Sequence, residues 1–227
     1  MSDEGNKNGT MLRMRLYMSS FRMGNRTDRL IDLAGGTGRV AVIANAMDAA
    51  TSEVRLSGVR REIDALSDLG FTAEELDLRS YFFDPNRLTM DIRHYDVLWL
   101  RGGNCFMLRR ALDKSRADET ILGLLEEDSA VYAGYSAGPC VLGPSLRGFE
   151  LVDQPGDVQT TYGDAPIWDG LGVLDYSFVP HFQSPGHPET GAMDEVVKFF
   201  EMNGTSYRTL RDGQVLTVDG EVTNLFE

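Results

Sequence analysis

Gly134-Tyr135-Ser136-Ala137-Gly138 sets one hydroxyl between small residues in the pattern G-x-S-x-G. The residues before it, 131–134, read as the end of a buried strand, and Ala137-Gly138 opens a short helix. A strand-to-helix turn this tight needs small flanks, because larger side chains would clash where the backbone doubles back. Such a turn lifts the serine hydroxyl above the sheet and aims the following N–H groups at any oxyanion formed there. A helix N-terminus adds partial positive charge at the same spot. The chemistry implied is nucleophilic attack on an acyl carbon. The same five residues also suit a glycine-rich turn with an ordinary capping serine.

A serine hydroxyl is a weak nucleophile near neutral pH and needs an adjacent base. Histidine suits that role because its reference pKa is about 6.5. The chain has three histidines. His94 lies on the polar approach to a strand, and His187 sits in a loop between Gly186 and Pro188. Only His181, in Val179-Pro180-His181-Phe182, stands at a strand end as Ser136 does. Gly102-Gly103 follows another buried strand, 95–100. Two glycine-flanked strand ends at one edge are more than packing alone requires.

Strands are expected at 12–18, 40–44, 71–78, 95–100, 129–134 and 174–179. Helical spacing covers 25–33, 52–69, 106–112, 120–125 and 189–202. In 52–69 the apolar stripe is Val54, Leu56, Val59, Ile63, Leu66 and Leu69, with Arg55 and Glu62 off it. Gly35-Gly36-Thr37-Gly38 precedes a strand instead of following one, so it is read as a turn and not as a phosphate loop. Asp84-Pro85-Asn86 reads as a turn. A long irregular segment, 144–169, has the composition of a covering loop over the site. The chain closes with a β-hairpin turning at Asp219-Gly220. Strands alternating with helices give an α/β fold, a mostly parallel central sheet between helical layers, with sites at the C-terminal strand ends.

The formal charge is −13 over 227 residues. Neither nucleic acid nor an anionic membrane suits such a chain, since both need clustered Lys and Arg. No apolar run reaches the roughly 18 residues of a membrane span. Cys105 and Cys140 are read as reduced thiols of a cytoplasmic protein. Cys140 follows the elbow serine by four residues and is read as a core side chain. Residues 1–11 are expected to be a flexible lead and 12–227 one domain.

Three motifs in order carry a resemblance: Gly102-Gly103-Asn104-Cys105-Phe106, Gly134 through Gly138, and Val179 through Phe182. The chain resembles the peptidase E (aspartyl dipeptidase) family of serine peptidases, related to cyanophycinase. The resemblance implies a three-layer α/β sandwich with the class I glutamine amidotransferase-like fold. It implies Ser136 as nucleophile and His181 as base, with the N–H groups of Gly103 and Ala137 as oxyanion donors. Gly102 and Asn104 flank that hole. Asp212, in Leu210-Arg211-Asp212-Gly213-Gln214, matches the triad carboxylate, with Asp where the dipeptidase pattern has Glu; Asp153 is the second candidate. The expected partner is a small peptide substrate, with a homodimer as an admissible assembly and no metal or organic cofactor. Arg101, Arg109 and Arg147 are the cations near the motifs. An esterase of α/β-hydrolase type and a non-catalytic peptide-binding module are the alternatives.

Overall fold

The structure is a computed structural model and describes residues 14–227. The expected lead, 1–11, and the first residues of the expected first strand lie outside the described residues. Among those described, no helix is long and apolar enough to cross a membrane.

The strands are β1 (Arg15–Ser19), β2 (Arg39–Ile43), β3 (Thr72–Glu75), β4 (Val97–Leu100), β5 (Val131–Tyr135), β6 (Ser177–Val179), β7 (Tyr207–Thr209), β8 (Val215–Asp219) and β9 (Val222–Phe226). One seven-stranded sheet runs in the order β3-β2-β4-β5-β1-β8-β9. The first five are parallel, and β8 and β9 extend the sheet antiparallel beside β1. β6 and β7 pair separately, in parallel. The helices are α1 (Thr27–Ala34), α2 (Ser52–Asp68), α3 (Pro85–Asp91), α4 (Cys105–Ser115), α5 (Ala117–Glu126), α6 (Ala137–Cys140), α7 (Gly156–Tyr162) and α8 (Thr190–Asn203).

Alternation along the strands divides the core in two. Tyr17, Val42, Trp99 and Ala133 face one way and pack with Leu30 of α1 and Leu66 of α2. Leu16, Ile43, Leu98 and Tyr132 face the other way and pack with Leu88, Leu112, Ile121 and Phe200 of α3, α4, α5 and α8. This is the expected three-layer sandwich. Each fully buried large side chain contributes about 1.5–3 kcal/mol of hydrophobic stabilisation.

Several local expectations are corrected. Asp84-Pro85 starts α3, with the Asp84 carboxylate accepting from Arg87 N–H; N-cap Asp followed by Pro serves a helix start as well as a turn. The segment 144–169 contains α7 and a short 3-10 turn at Phe149–Leu151. The hairpin pairs Asp219 with Val222, so its turn is Gly220-Glu221, one residue later than expected. In α2 the buried face is Arg55, Gly58, Val59, Glu62 and Leu66, while Val54 and Leu56 are about half exposed, at 52% and 48%. Arg55 is buried because Asp48 and Glu75 meet its guanidinium at 2.6 and 2.7 Å. Tyr162 of α7 donates to the same Asp48 at 2.5 Å, tying that helix to the turn at Asn45–Met47.

Candidate active site

Parallel pairing sets Leu100 of β4 opposite Gly134 of β5, so both strands stop at one sheet edge. Ser136 leaves β5 with φ 52° and ψ −111°. That backbone state costs about 1–3 kcal/mol and persists only where its surroundings enforce it. The flanking glycines are part of the enforcement. A Cβ on Gly138 would stand 2.5 Å from the Leu100 carbonyl oxygen, and one on Gly134 would collide with the same atom. The small-residue spacing is thus the imprint of one carbonyl on the neighbouring strand. Ser136 precedes α6 without making a cap hydrogen bond, so ordinary capping does not explain it. α6 is a single turn of four residues, and the helix-end charge expected there is correspondingly small.

Gly103 has φ +146°, and a Cβ there would lie 2.7 Å from Ala46 O. Its N–H donates to no described residue. Asn104 N–H donates to Ala46 O at 2.9 Å, which lays this loop on the Asn45–Met47 turn. The Asn104 side chain caps α4, accepting from Phe106 N–H and Met107 N–H at 2.9 and 3.2 Å. Its Nδ2 donates to Gln154 O at 2.9 Å. Asn104 therefore braces the loop and does not line the pocket.

His181 follows β6 at φ 58° and is 1% exposed. Its Nδ1 lies 2.7 Å from Asp212 Oδ1. Three hydroxyls hold the pair. Ser20 Oγ accepts from His181 N–H and donates to Asp212 Oδ1, both at 2.8 Å. Ser184 Oγ accepts from Asp212 N–H at 2.8 Å. Thr190 Oγ1 donates to His181 O at 2.9 Å. Burial pushes the imidazole pKa below its ordinary value; Asp212 opposes this and His187 adds to it. The ring is thus neutral at neutral pH, its Nδ1 proton directed at the carboxylate and its Nε2 lone pair free.

His187 lies flat on His181, with ring centroids 3.7 Å apart and planes 3° from parallel. Phe21 stands edge-on to both rings at 5.8 and 5.1 Å. Glu189 Oε2 is 3.9 Å from His181 Nε2. Ser136, His181, Gly102 and Gly103 line one pocket of about 150 Å³ together with Arg22, Arg61, Arg101 and Glu189. No hydrogen bond joins Ser136 Oγ to the His181 ring in this conformation. A larger concavity of about 690 Å³ runs along the outer face of α2; its lining includes the Ser57 hydroxyl but no imidazole to activate it.

Of the two candidate acids, the structure brings Asp212 to His181 and leaves Asp153 elsewhere. Asp153 Oδ2 accepts from Cys105 N–H at 2.8 Å. No residue of 148–169 lines the pocket, so that segment braces the Asn104 loop and does not cover the site. Cys105 and Cys140 are buried, and burial raises both thiols well above their ordinary pKa, which leaves them unreactive.

Burial also pushes the Asp153 carboxyl up to about 6. An unfolded aspartate titrates near pH 3.9. The native state therefore binds the extra proton between about pH 4 and 6, and this group's contribution to stability falls as pH rises through that window. The two pKa values differ by roughly two units, or about 2–3 kcal/mol. Asp153→Asn keeps an acceptor for Cys105 N–H and cannot ionise. It is expected to match the wild type near pH 4 and exceed it by about 2 kcal/mol at pH 7.5, read by urea unfolding. A constant difference across that range would exclude the assignment.

The site uses residues that sequence reasoning missed. Ser20, Ser184 and Thr190 are unremarkable hydroxyls far apart in the chain. His187, between Gly186 and Pro188, carries only a loop signal in the sequence. Of the three expected cations, Arg101 lines the pocket, whereas Arg109 pairs with Asp118 at 3.0 Å and Arg147 lies over Trp168 at 4.7 Å. Arg22 and Arg61 supply the other two positive charges. Arg101 is anchored from behind by Glu62 at 3.4 Å, a carboxylate that also accepts from Trp99 Nε1 and Tyr135 OH.

The model of peptidase family S51 matches residues 22–226. An uncharacterized peptidase of Listeria monocytogenes is 30% identical over 122 residues, covering 53% of this chain and 55% of that protein. A probable alpha-aspartyl dipeptidase of Drosophila melanogaster is 26% identical over 162 residues, 70% of this chain and 62% of that protein. The matched stretch thus spans little more than half the length of the curated relatives. The crystal structure of a "Putative Peptidase E Protein" from Listeria monocytogenes EGD-e superposes with TM-score 0.77 at 20% identity, over 95% of this chain and 98% of that one. A peptidase from an acI-B1 actinobacterium gives 0.71 at 16% identity, over 95% and 88%. At those identities the likeness speaks for the fold.

Proposed function

The chain belongs to peptidase family S51, and from that premise we propose that it hydrolyses small peptides through an acyl-enzyme, with Ser136 as nucleophile, His181 as base and Asp212 as the supporting carboxylate. The observation that carries this reading is the 2.7 Å contact between Asp212 and His181, with the ring lining the same pocket as Ser136. In the proposed cycle, Ser136 Oγ attacks the scissile carbonyl while His181 Nε2 takes its proton. Asp212 holds the productive tautomer and stabilises the imidazolium. The N–H groups of Gly103 and Ala137 receive the oxyanion. The intermediate collapses as His181 protonates the leaving amine. Water, deprotonated by the same imidazole, then releases the acyl group. The hydroxyl and the ring close to hydrogen-bonding distance around substrate, as catalytic contacts commonly do.

A pocket of about 150 Å³ is small beside the roughly 300–1,000 Å³ usual for ligand sites. It suits a dipeptide or the end of a short peptide. Arg22, Arg61 and Arg101 make it cationic on a chain of net charge −13. One relative is named an alpha-aspartyl dipeptidase; we extend an acidic preference to this chain, with Glu189 receiving the free amino group. Cys105 and Cys140 are free thiols, which suits a cytoplasmic enzyme. The triad order Ser136, His181, Asp212 differs from the Ser, acid, His order of α/β-hydrolases.

A panel of free dipeptides, blocked peptides and simple esters tests the class. Fastest turnover is expected on a free dipeptide with an acidic residue beside the scissile bond. Preference for simple esters over every peptide would contradict it. The Arg22→Ala, Arg61→Ala double variant is expected to lose roughly tenfold in kcat/KM on the acidic dipeptide, about 1.4 kcal/mol. A neutral dipeptide should change no more than about twofold. Equal losses on both would remove the arginines from specificity.

A further inference from the structure

The geometry points to a binding site for a single transition-metal dication of the zinc type, formed by His181 Nε2, His187 and Glu189, whose occupation silences the enzyme. One nitrogen or oxygen from each of these residues lies within 4.8 Å of the others. The His181 Nε2 to Glu189 Oε2 distance is 3.9 Å. Zinc bonds of about 2.0–2.2 Å place tetrahedral ligand atoms roughly 3.4 Å apart, so a closure of about half an ångström completes that edge.

His181 is already arranged as a metal-binding histidine. Its Nδ1 is held by a carboxylate, Asp212, at 2.7 Å. That is the carboxylate–histidine pairing which fixes tautomer and ring direction in zinc sites and leaves Nε2 as the ligand. The His187 ring lies parallel to His181, with centroids 3.7 Å apart. Convergence on one ion requires His187 to tilt. The tilt gives up the stack on His181 and the edge contact with Phe21, and it also releases the long bond, 3.3 Å, that His187 Nδ1 accepts from Glu189 N–H. Two imidazoles and one carboxylate select zinc-like ions over Mg²⁺ and Ca²⁺, which need more oxygen ligands. All three residues line the pocket. Cys105 and Cys140 are buried and offer no competing thiolate.

Metal binding stands on this geometry alone. Silencing rests on the reading of His181 as the base, because an ion on Nε2 removes the lone pair that would accept the Ser136 proton. Calorimetry on full-length Ser136→Ala with zinc chloride separates the two. One Zn²⁺ per chain with micromolar affinity is expected. Adding His187→Gln and Glu189→Gln, singly and together, should weaken it tenfold or more, while exposed His94→Gln leaves it unchanged. Absence of binding, or affinity unaltered in the double variant, overturns the site. In the wild type, Zn²⁺ should inhibit with a constant matching that affinity, reversed by a chelator, and millimolar Mg²⁺ should not. Each variant is referred to its own metal-free rate. Stoichiometric binding with full peptide turnover overturns silencing.

Discussion

Ser136→Ala is expected to lower kcat/KM on dipeptides by roughly 10⁴-fold or more while the protein stays folded. Removing the nucleophile of a triad leaves only substrate binding and oxyanion stabilisation, which account for a residual 10³–10⁴-fold over water. The fold should not notice. The hydroxyl makes no cap bond, and alanine meets φ 52° no worse than serine does. Unfolding free energy is expected within about 1 kcal/mol of wild type, as for substitutions that break no buried contact. Steady-state kinetics and denaturant unfolding on the same preparation read both quantities. Turnover within tenfold of wild type would remove Ser136 from the chemistry.

Asp212→Asn is expected to cost roughly 10³–10⁴-fold in kcat with KM little changed. An amide N–H facing Nδ1 would favour the tautomer whose Nε2 carries the proton, and that ring cannot act as a base. Ser20 and Ser184 still find partners on the amide and backbone, so position is retained and the loss reports proton transfer. The paired measurement is Asp153→Asn, whose carboxylate bonds Cys105 N–H and not the ring. Its kcat should stay within about tenfold of wild type. The reverse ranking would return the triad to Asp153 and favour the esterase reading.

The two best sequence signals rest on backbone crowding. Gly134 and Gly138 are small because Leu100 O comes close to both, and Gly103 because Ala46 O does. Crowding of this kind leaves a local imprint, so the strand ends and the serine between them were legible. His181 was legible as the histidine at a strand end. Asp212 came only from the family resemblance, since an aspartate before a glycine reads equally as a turn. The supporting hydroxyls were not legible: Ser20 and Asp212 are 192 residues apart and meet only through the sheet. Arg55 and Glu62 lie off the apolar stripe of 52–69, and nothing in that spacing marks them as buried, since charge usually stays in water. Their burial depends on partners in other elements, Asp48 and Glu75 for one, Trp99 and Tyr135 for the other. The covering role expected of 144–169 failed because length and composition do not say which way a segment folds back. His187 carried no site signal, since its place on His181 follows from the path of the loop between them.

The most direct test of the central claim is labelling with a serine-directed fluorophosphonate, mapped by mass spectrometry. One adduct per chain on Ser136 is expected, slowed by orders of magnitude in His181→Gln and competed by an acidic dipeptide. Peptide turnover with no adduct on Ser136, or an adduct whose rate ignores His181, would contradict the joint action of that hydroxyl and that imidazole.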